Sequence, residues 1–401
     1  MDKSISLNSK EQTGINGQLL YEVAFVFYFS DFFLQFTTFM SYFGKGTFHL
    51  ASYLALGLVV FKIFFLDDQN IRSFVLNLVI LGMLVLTWRT SSDFMLFSMG
   101  IFVLGARNVN FRRVVYLYFV VGTIILLFVM FCSFSGLIQN LVYRRNQTSG
   151  AIRQSFGIVY PTDFAAHVLF LILAFCYLYF DRITVKSYIT FVIIAALLIH
   201  YCDARLSAVS VLLLIPVMII GKQAQKSDGF CRKIAVFFWC FPVLMAYMII
   251  AMSYFYSPSN RLLEVLNHML SGRLAIGNQA IRQYGFSIFG RHMVERSWGG
   301  VNGMKMFMGD RSNYFFVDSS FLRILILYGV ITFIIILAVL TIISYRSISY
   351  GEYALATILV IVSVSAVVEQ RLIDISYDPF LIALLANVYS NNLVTNRRKS
   401  Q

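Results

Sequence analysis

Val114–Phe134 reads VVYLYFVVGTIILLFVMFCSF. It carries no charge and no proline; Arg112 and Arg113 stand just before it, and Ser135 and Gly136 just after. At a helical rise of about 1.5 Å per residue the run covers roughly 30 Å, the thickness of a bilayer's hydrocarbon core. In lipid only a helix or a closed barrel satisfies every backbone group. The run is continuous rather than alternating, so it predicts a helix that crosses a membrane.

Runs of the same kind recur on both sides of it. They are Leu19–Met40, Leu50–Leu66, Ile71–Thr87, Asp93–Gly105, Thr162–Phe180, Tyr188–Cys202, Leu206–Gly221, Ala235–Tyr256, Asp318–Ser344, Tyr353–Val368 and Pro379–Tyr389. With Val114–Phe134 that predicts about twelve spans. The fourth, seventh and last in chain order are short enough to be re-entrant or tilted. The whole chain agrees: of 401 residues, 59% are hydrophobic and 13% charged, against about 25% charged in soluble domains. That excludes a soluble enzyme, a disordered chain, and a soluble domain on one anchor. The expected fold is all-α: a polytopic helical membrane protein forming one integral domain over 1–401. Met1–Gln18 has no apolar core and does not read as a cleavable signal peptide. Cys132, Cys176, Cys202, Cys231 and Cys240 follow no paired spacing, so neither a disulfide framework nor a metal site is expected.

The net charge is +13. The basic residues lie between apolar runs, which suits helix orientation and an anionic ligand better than nucleic acid. Seventeen fall on the side of the N-terminus and five in short segments on the other side. By the positive-inside rule both termini are expected in the cytoplasm. The other ten lie in two long segments expected outside, 135–161 and 257–317, and nine of those ten are arginine. Arginine's planar fork suits phosphate or carboxylate, although arginine is also the commoner basic residue elsewhere in this chain.

The 257–317 segment predicts an amphipathic helix over Ser257–Leu270 and a second over Arg273–Tyr284, then turns at Gly285, Gly290, Gly299, Gly300 and Gly303. This is expected to be a helical cap. Arg273 would stand near a helix N-terminus, where an anion between it and the dipole favours it; the alternative is a solvated charge. Trp298, Tyr314 and Phe315 suit either sugar faces or a membrane-interface belt. Asp318 and Arg323 open the next span, with Asp318 as an orienting carboxylate, a general base or a helix cap. In the first segment, Arg144, Arg145 and Arg153 precede Pro161, which marks a helix start. Asp163 and His167 share one face of that helix, either as a structural hydrogen bond or as part of a site. Asp203 and Arg205 sit in a tight turn, with a local ion pair as the simpler reading. No nucleotide-binding or acidic metal-binding signature is present, which favours a substrate activated before it arrives.

Four stretches carry a family resemblance: Arg153–His167 (RQSFGIVYPTDFAAH), Asp203–Ser207 (DARLS), Ser271-Gly272-Arg273 with Gly285 and Phe289-Gly290, and Asp318–Leu322 (DSSFL) with Leu327-Tyr328-Gly329. Their order, their outer location and the span count resemble the Wzy-type polysaccharide polymerases, members of the O-antigen ligase-like family that assemble capsule, exopolysaccharide and O-antigen. Lipopolysaccharide ligases of that superfamily typically begin the fourth stretch His-Asn, where this chain has Asp318-Ser319. The resemblance implies a bacterial plasma-membrane glycosyltransferase, independent of metal and cofactor, that uses oligosaccharide repeats linked by diphosphate to undecaprenol. Arg273, Arg145 and Arg153 would neutralise the departing diphosphate, and Asp318 would orient or deprotonate the attacking hydroxyl. Asp163, His167, Arg205, Tyr314, Ser319 and Arg323 are the further candidate substrate contacts. A flippase and a chain-length regulator are the implied protein partners. The competing readings are ligase-like glycan transfer and a transporter or flippase. The latter needs midplane charges and often repeats, and apart from Asp31 few charges are expected at depth.

Overall fold

The computed structural model describes residues 16–43, 45–144, 150, 152–309 and 314–389, with backbone alone over 45–47. Helix accounts for 74% of the described residues. Local signals set the helix starts. Asn16 caps α1 (Gly17–Gln35), Asn70 caps α3 (Ile71–Ser91) and Asn110 caps α5 (Phe111–Phe134), each accepting from backbone N–H groups of the first turn. Between them lie α2 (Lys45–Phe61), which widens into a π turn over Lys62–Leu66, and α4 (Met95–Gly105). Two short antiparallel strands follow, β1 (Val142–Arg144) and β2 (Ile152–Gln154), in register Tyr143 to Arg153. Pro161 stands at the first position of α6 (Pro161–Leu178), where its missing N–H costs nothing. Next come α7 (Val185–Cys202), α8 (Arg205–Lys226), α9 (Phe230–Ala235) and α10 (Phe241–Tyr254).

The 257–317 segment folds into α11 (Arg261–Met269), α12 (Arg273–Tyr284) and a third helix that the sequence did not announce, α13 (Gly300–Met308). Then α14 (Ser320–Arg323) and a π turn over Ile324–Tyr328 lead to α15 (Gly329–Ser349), with a break in the helical backbone at Gly329, and α16 (Tyr353–Val368) packs beside α15. Among the described residues eight helices are long and apolar enough to cross a membrane: Phe48–Leu66, Ile71–Ser91, Phe111–Phe134, Pro161–Leu178, Val185–Cys202, Arg205–Lys226, Phe230–Tyr254 and Ser320–Ser349. They mark the chain as membrane-embedded.

Four of the expected twelve spans are not among these eight: α1, α4, α16, which has only 16 residues, and the last run. Met95–Gly105 is an apolar helix of only 11 residues. The run expected over Pro379–Tyr389 holds only a 3-10 turn, Phe380–Leu384. Ahead of that turn the chain is irregular, yet every residue from 371 to 383 is buried. The Asp374 carboxylate accepts from the Ser376 N–H and hydroxyl, and Asp378 accepts from the Phe380 N–H, so side chains satisfy backbone groups that a helix would have paired. Irregular backbone survives at such depth because protein, not lipid, surrounds it.

Two contacts bind the long segments to the bundle. A small apolar cluster joins Tyr143 of β1 to Phe307 of α13 and Trp298, and the Tyr143 hydroxyl donates to the Trp298 carbonyl at 2.8 Å. At Gly290 and Gly329 the backbones meet directly. A Cβ on Gly290 would lie 2.2 Å from the Leu327 carbonyl oxygen, and one on Gly329 2.3 Å from the Gly290 nitrogen. Both residues have positive φ, so these positions need glycine twice over. The third and fourth family-like stretches therefore touch through their glycines.

Candidate functional site

The ends of these elements surround one cavity of about 680 Å³. Gln35 from the end of α1, Arg153 from β2, Tyr160 and Asp163 at the start of α6, and the α7–α8 turn form part of the wall. Arg273, Trp298, Tyr314, Asp318, Arg323 and the residues just past α16 form the rest. Five guanidiniums and four carboxyls line it, so what each arginine is already bound to decides which can receive an anion.

Arg323 is fully engaged. It pairs with Glu295, and with Asp93 at 3.4 Å, and the Tyr328 hydroxyl donates to the other oxygen of Asp93 at 2.6 Å. Arg371 is engaged as well. It donates to Asp163 at 2.5 Å and to Asp374 at 3.2 Å, with its guanidinium 4.3 Å from the Tyr377 ring centre and 5.0 Å from that of Phe36. Arg273 opens α12, as expected for a residue near a helix start. Its Nε donates to the Val368 carbonyl at 2.7 Å and its Nη1 to the Leu270 carbonyl at 3.3 Å, while Nη2 lies 3.4 Å from Asp318 Oδ2. The anion that stabilises Arg273 at the helix start is thus one of the chain's own carboxylates. Arg205 keeps the local pair with Asp203, at 2.9 Å, and is 67% exposed.

Arg153 differs. Its Nε donates to the Cys202 carbonyl at 3.0 Å and its Nη1 to the Tyr160 hydroxyl at 3.2 Å, and its guanidinium lies over the Tyr160 ring. Among the described residues it has no carboxylate partner. A guanidinium held by neutral groups on a cavity wall keeps its charge available to a ligand anion. Trp298 and Tyr314 also line the cavity, with ring centres 4.1 Å apart, and form an aromatic wall.

Two candidate residues, His167 and Ser319, lie off this wall. His167 is fully buried, sandwiched between Phe33 at 4.0 Å and Tyr377 at 3.8 Å, with no hydrogen bond to Asp163. Asp163 turns to Arg371 instead. Ser319 is buried, with its hydroxyl donating to the Ala366 carbonyl. It is Ser319, not Asp318, that precedes α14 as the cap residue, and its side chain makes no capping bond. That leaves the Asp318 carboxylate free to face Arg273 and the cavity. Arg145 lies outside the described residues.

The stretch after α16 was missed as part of the site. Glu369 is 5% exposed on the cavity wall. Its main-chain carbonyl accepts from the Ser320 N–H and hydroxyl, which fastens the turn, while its carboxylate accepts, among the described residues, only from the Ser207 hydroxyl, at 3.5 Å. The signal was present: Glu369, Arg371, Asp374 and Asp378 interrupt an otherwise apolar run, and ionisable groups in such a run are costly unless used. Burial raises the Asp318 carboxyl above the usual carboxylate range, against the pull of Arg273. Burial likewise raises Glu369, to about 8, opposed by Arg273 and reinforced by Asp318.

The site can therefore receive an anion at Arg153, set flat rings against an apolar face, and offer two unlike carboxyl groups to a proton in transit. Comparison of the chain with protein-family models, with curated proteins and with solved structures returns no match.

Proposed function

We propose that this chain polymerises oligosaccharide repeats linked by diphosphate to undecaprenol, at the outer face of a bacterial plasma membrane, releasing undecaprenyl diphosphate. The observation that carries this reading is convergence. The stretches beginning at Arg153, Asp203, Ser271 and Asp318, set far apart in sequence and each resembling the same polymerase family, all contribute to the wall of one cavity. In this reading Arg153, with Arg205 at the rim, receives the diphosphate. Arg273 holds Asp318 as a charged neighbour of the reacting centre. Trp298 and Tyr314 lie against the C–H faces of the sugars. Diphosphate is already a good leaving group, so the demand on the protein is charge stabilisation and positioning.

The topology belongs to the same reading. The chain crosses twelve times, with both termini in the cytoplasm. The eight long apolar helices are joined by α1, α4, α16 and the buried return through 371–384. Helices α11–α13 then form a cap over the cavity at the outer face. Cells lacking the chain should lose long polymer and accumulate single lipid-linked repeats that an impermeant reagent reaches in intact cells. Unchanged polymer would end the reading. Accumulation reachable only after permeabilisation would favour the flippase.

A further inference from the structure

Resting on that reading, we propose that Glu369 is the group that takes the proton from the attacking sugar hydroxyl, with Asp318 as the charged partner of Arg273 rather than the base. The two carboxyls line the same cavity but are held differently. Asp318 lies 3.4 Å from a guanidinium. Glu369 has no cation within 4 Å among the described residues; its one side-chain hydrogen bond comes from Ser207 on α8. A carboxylate fixed to arginine is a poor proton acceptor, because the ion pair favours its charged form. One held by a single hydroxyl in a sheltered wall is a good one, and two carboxyls whose environments differ divide the acid–base roles between them.

The step balances. The acceptor hydroxyl oxygen bonds to the anomeric carbon, and the bond from that carbon to the diphosphate oxygen breaks with its electron pair leaving on the diphosphate. The hydroxyl proton passes to the Glu369 carboxylate and returns to water through the cavity. The charged groups facing Glu369 are Arg273 from α12, Asp318 ahead of α14, Asp163 from α6 and Arg371 two residues on. Their opposing influences leave burial dominant, which brings the carboxyl to about 8 and makes it a stronger base than a free carboxylate. The base form is the deprotonated one, so the rate should climb as pH rises towards about 8 and level off above it.

The experiment uses membranes containing the full chain and, as substrate, the lipid-linked repeats extracted from cells that lack it. Initial polymerisation rates are measured from pH 6 to 9 at matched protein level. Glu369→Gln should lower the rate by about 10²–10⁴-fold and abolish the rising limb. Its fold should persist, because the Ser320 bonds use the main-chain carbonyl. Ser207→Ala removes the hydroxyl that favours the charged carboxylate, and should move the limb to higher pH. A wild-type rate and limb in Glu369→Gln would overturn the proposal. So would an unmoved limb in Ser207→Ala, or loss of the limb in Asp318→Asn alone. If the wild-type chain makes no polymer from these repeats, the functional reading itself falls, which is a different result from an active wild type indifferent to Glu369.

Discussion

Arg371 and Arg153 line the same cavity and have opposite surroundings. Arg371 is 2% exposed, paired with two carboxylates and packed against two rings. Arg153 rests on a carbonyl, a phenol and a ring face, with no carboxylate among the described residues. A charge sealed at depth costs several kcal/mol unless it is paired, so the first arrangement builds the wall. The second leaves a positive charge oriented but uncompensated, which is the condition for receiving an anion. An arginine on a cavity wall is therefore informative about function only once its existing partners are known.

Three substitutions test the contrast, from the largest effect to the smallest. Arg371→Ala strands Asp163 and Asp374 in a buried site, and removing one partner of such a pair costs about 3–5 kcal/mol. The chain should fail to accumulate in membranes, as quantitative blotting and pulse–chase would record. Normal accumulation of this variant would erase the distinction between the two arginines. Arg153→Ala should accumulate normally and lose about ten- to hundredfold in polymer formed per chain, corresponding to about 1.5–3 kcal/mol for a charged hydrogen-bond partner. Arg153→Lys should recover only part of this, because it keeps the charge without the fork. Equal instability of the alanine variant would instead make Arg153 a structural residue. Tyr160→Phe keeps the ring under the guanidinium and removes one hydrogen bond, worth about 0.5–1.5 kcal/mol. Affinity for the lipid-linked repeats, read as KM, should weaken a few-fold with the maximal rate nearly unchanged.

Much of the scaffold was written locally. Pro161 begins α6, and Arg273 opens α12 next to a glycine at positive φ. The α11 helix begins after Asn260, within the amphipathic run that predicted it. Each depends on residues within a turn of one another, so sequence spacing is enough to read them. The twelfth span illustrates the opposite case. Hydropathy saw an apolar run at 379–389, but whether such a run is a lipid-facing helix or a buried irregular segment depends on what surrounds it. Hydropathy does not record the surroundings.

The same division runs through the site. Arg153, Asp163, Arg205, Arg273, Tyr314, Asp318 and Arg323 were candidates from sequence, and all seven line the cavity. Sequence alone determined a helical, membrane-embedded chain with arginine-rich connections, because length, apolarity and charge placement are properties of consecutive residues. Only the tertiary structure decided that Asp163 pairs with Arg371 across 208 positions and that His167 is closed between two rings. It also decided that Glu369 meets the cavity with no cation paired to it among the described residues. A buried charge takes its chemistry from whatever the fold brings within a few ångströms, and those neighbours come from distant helices.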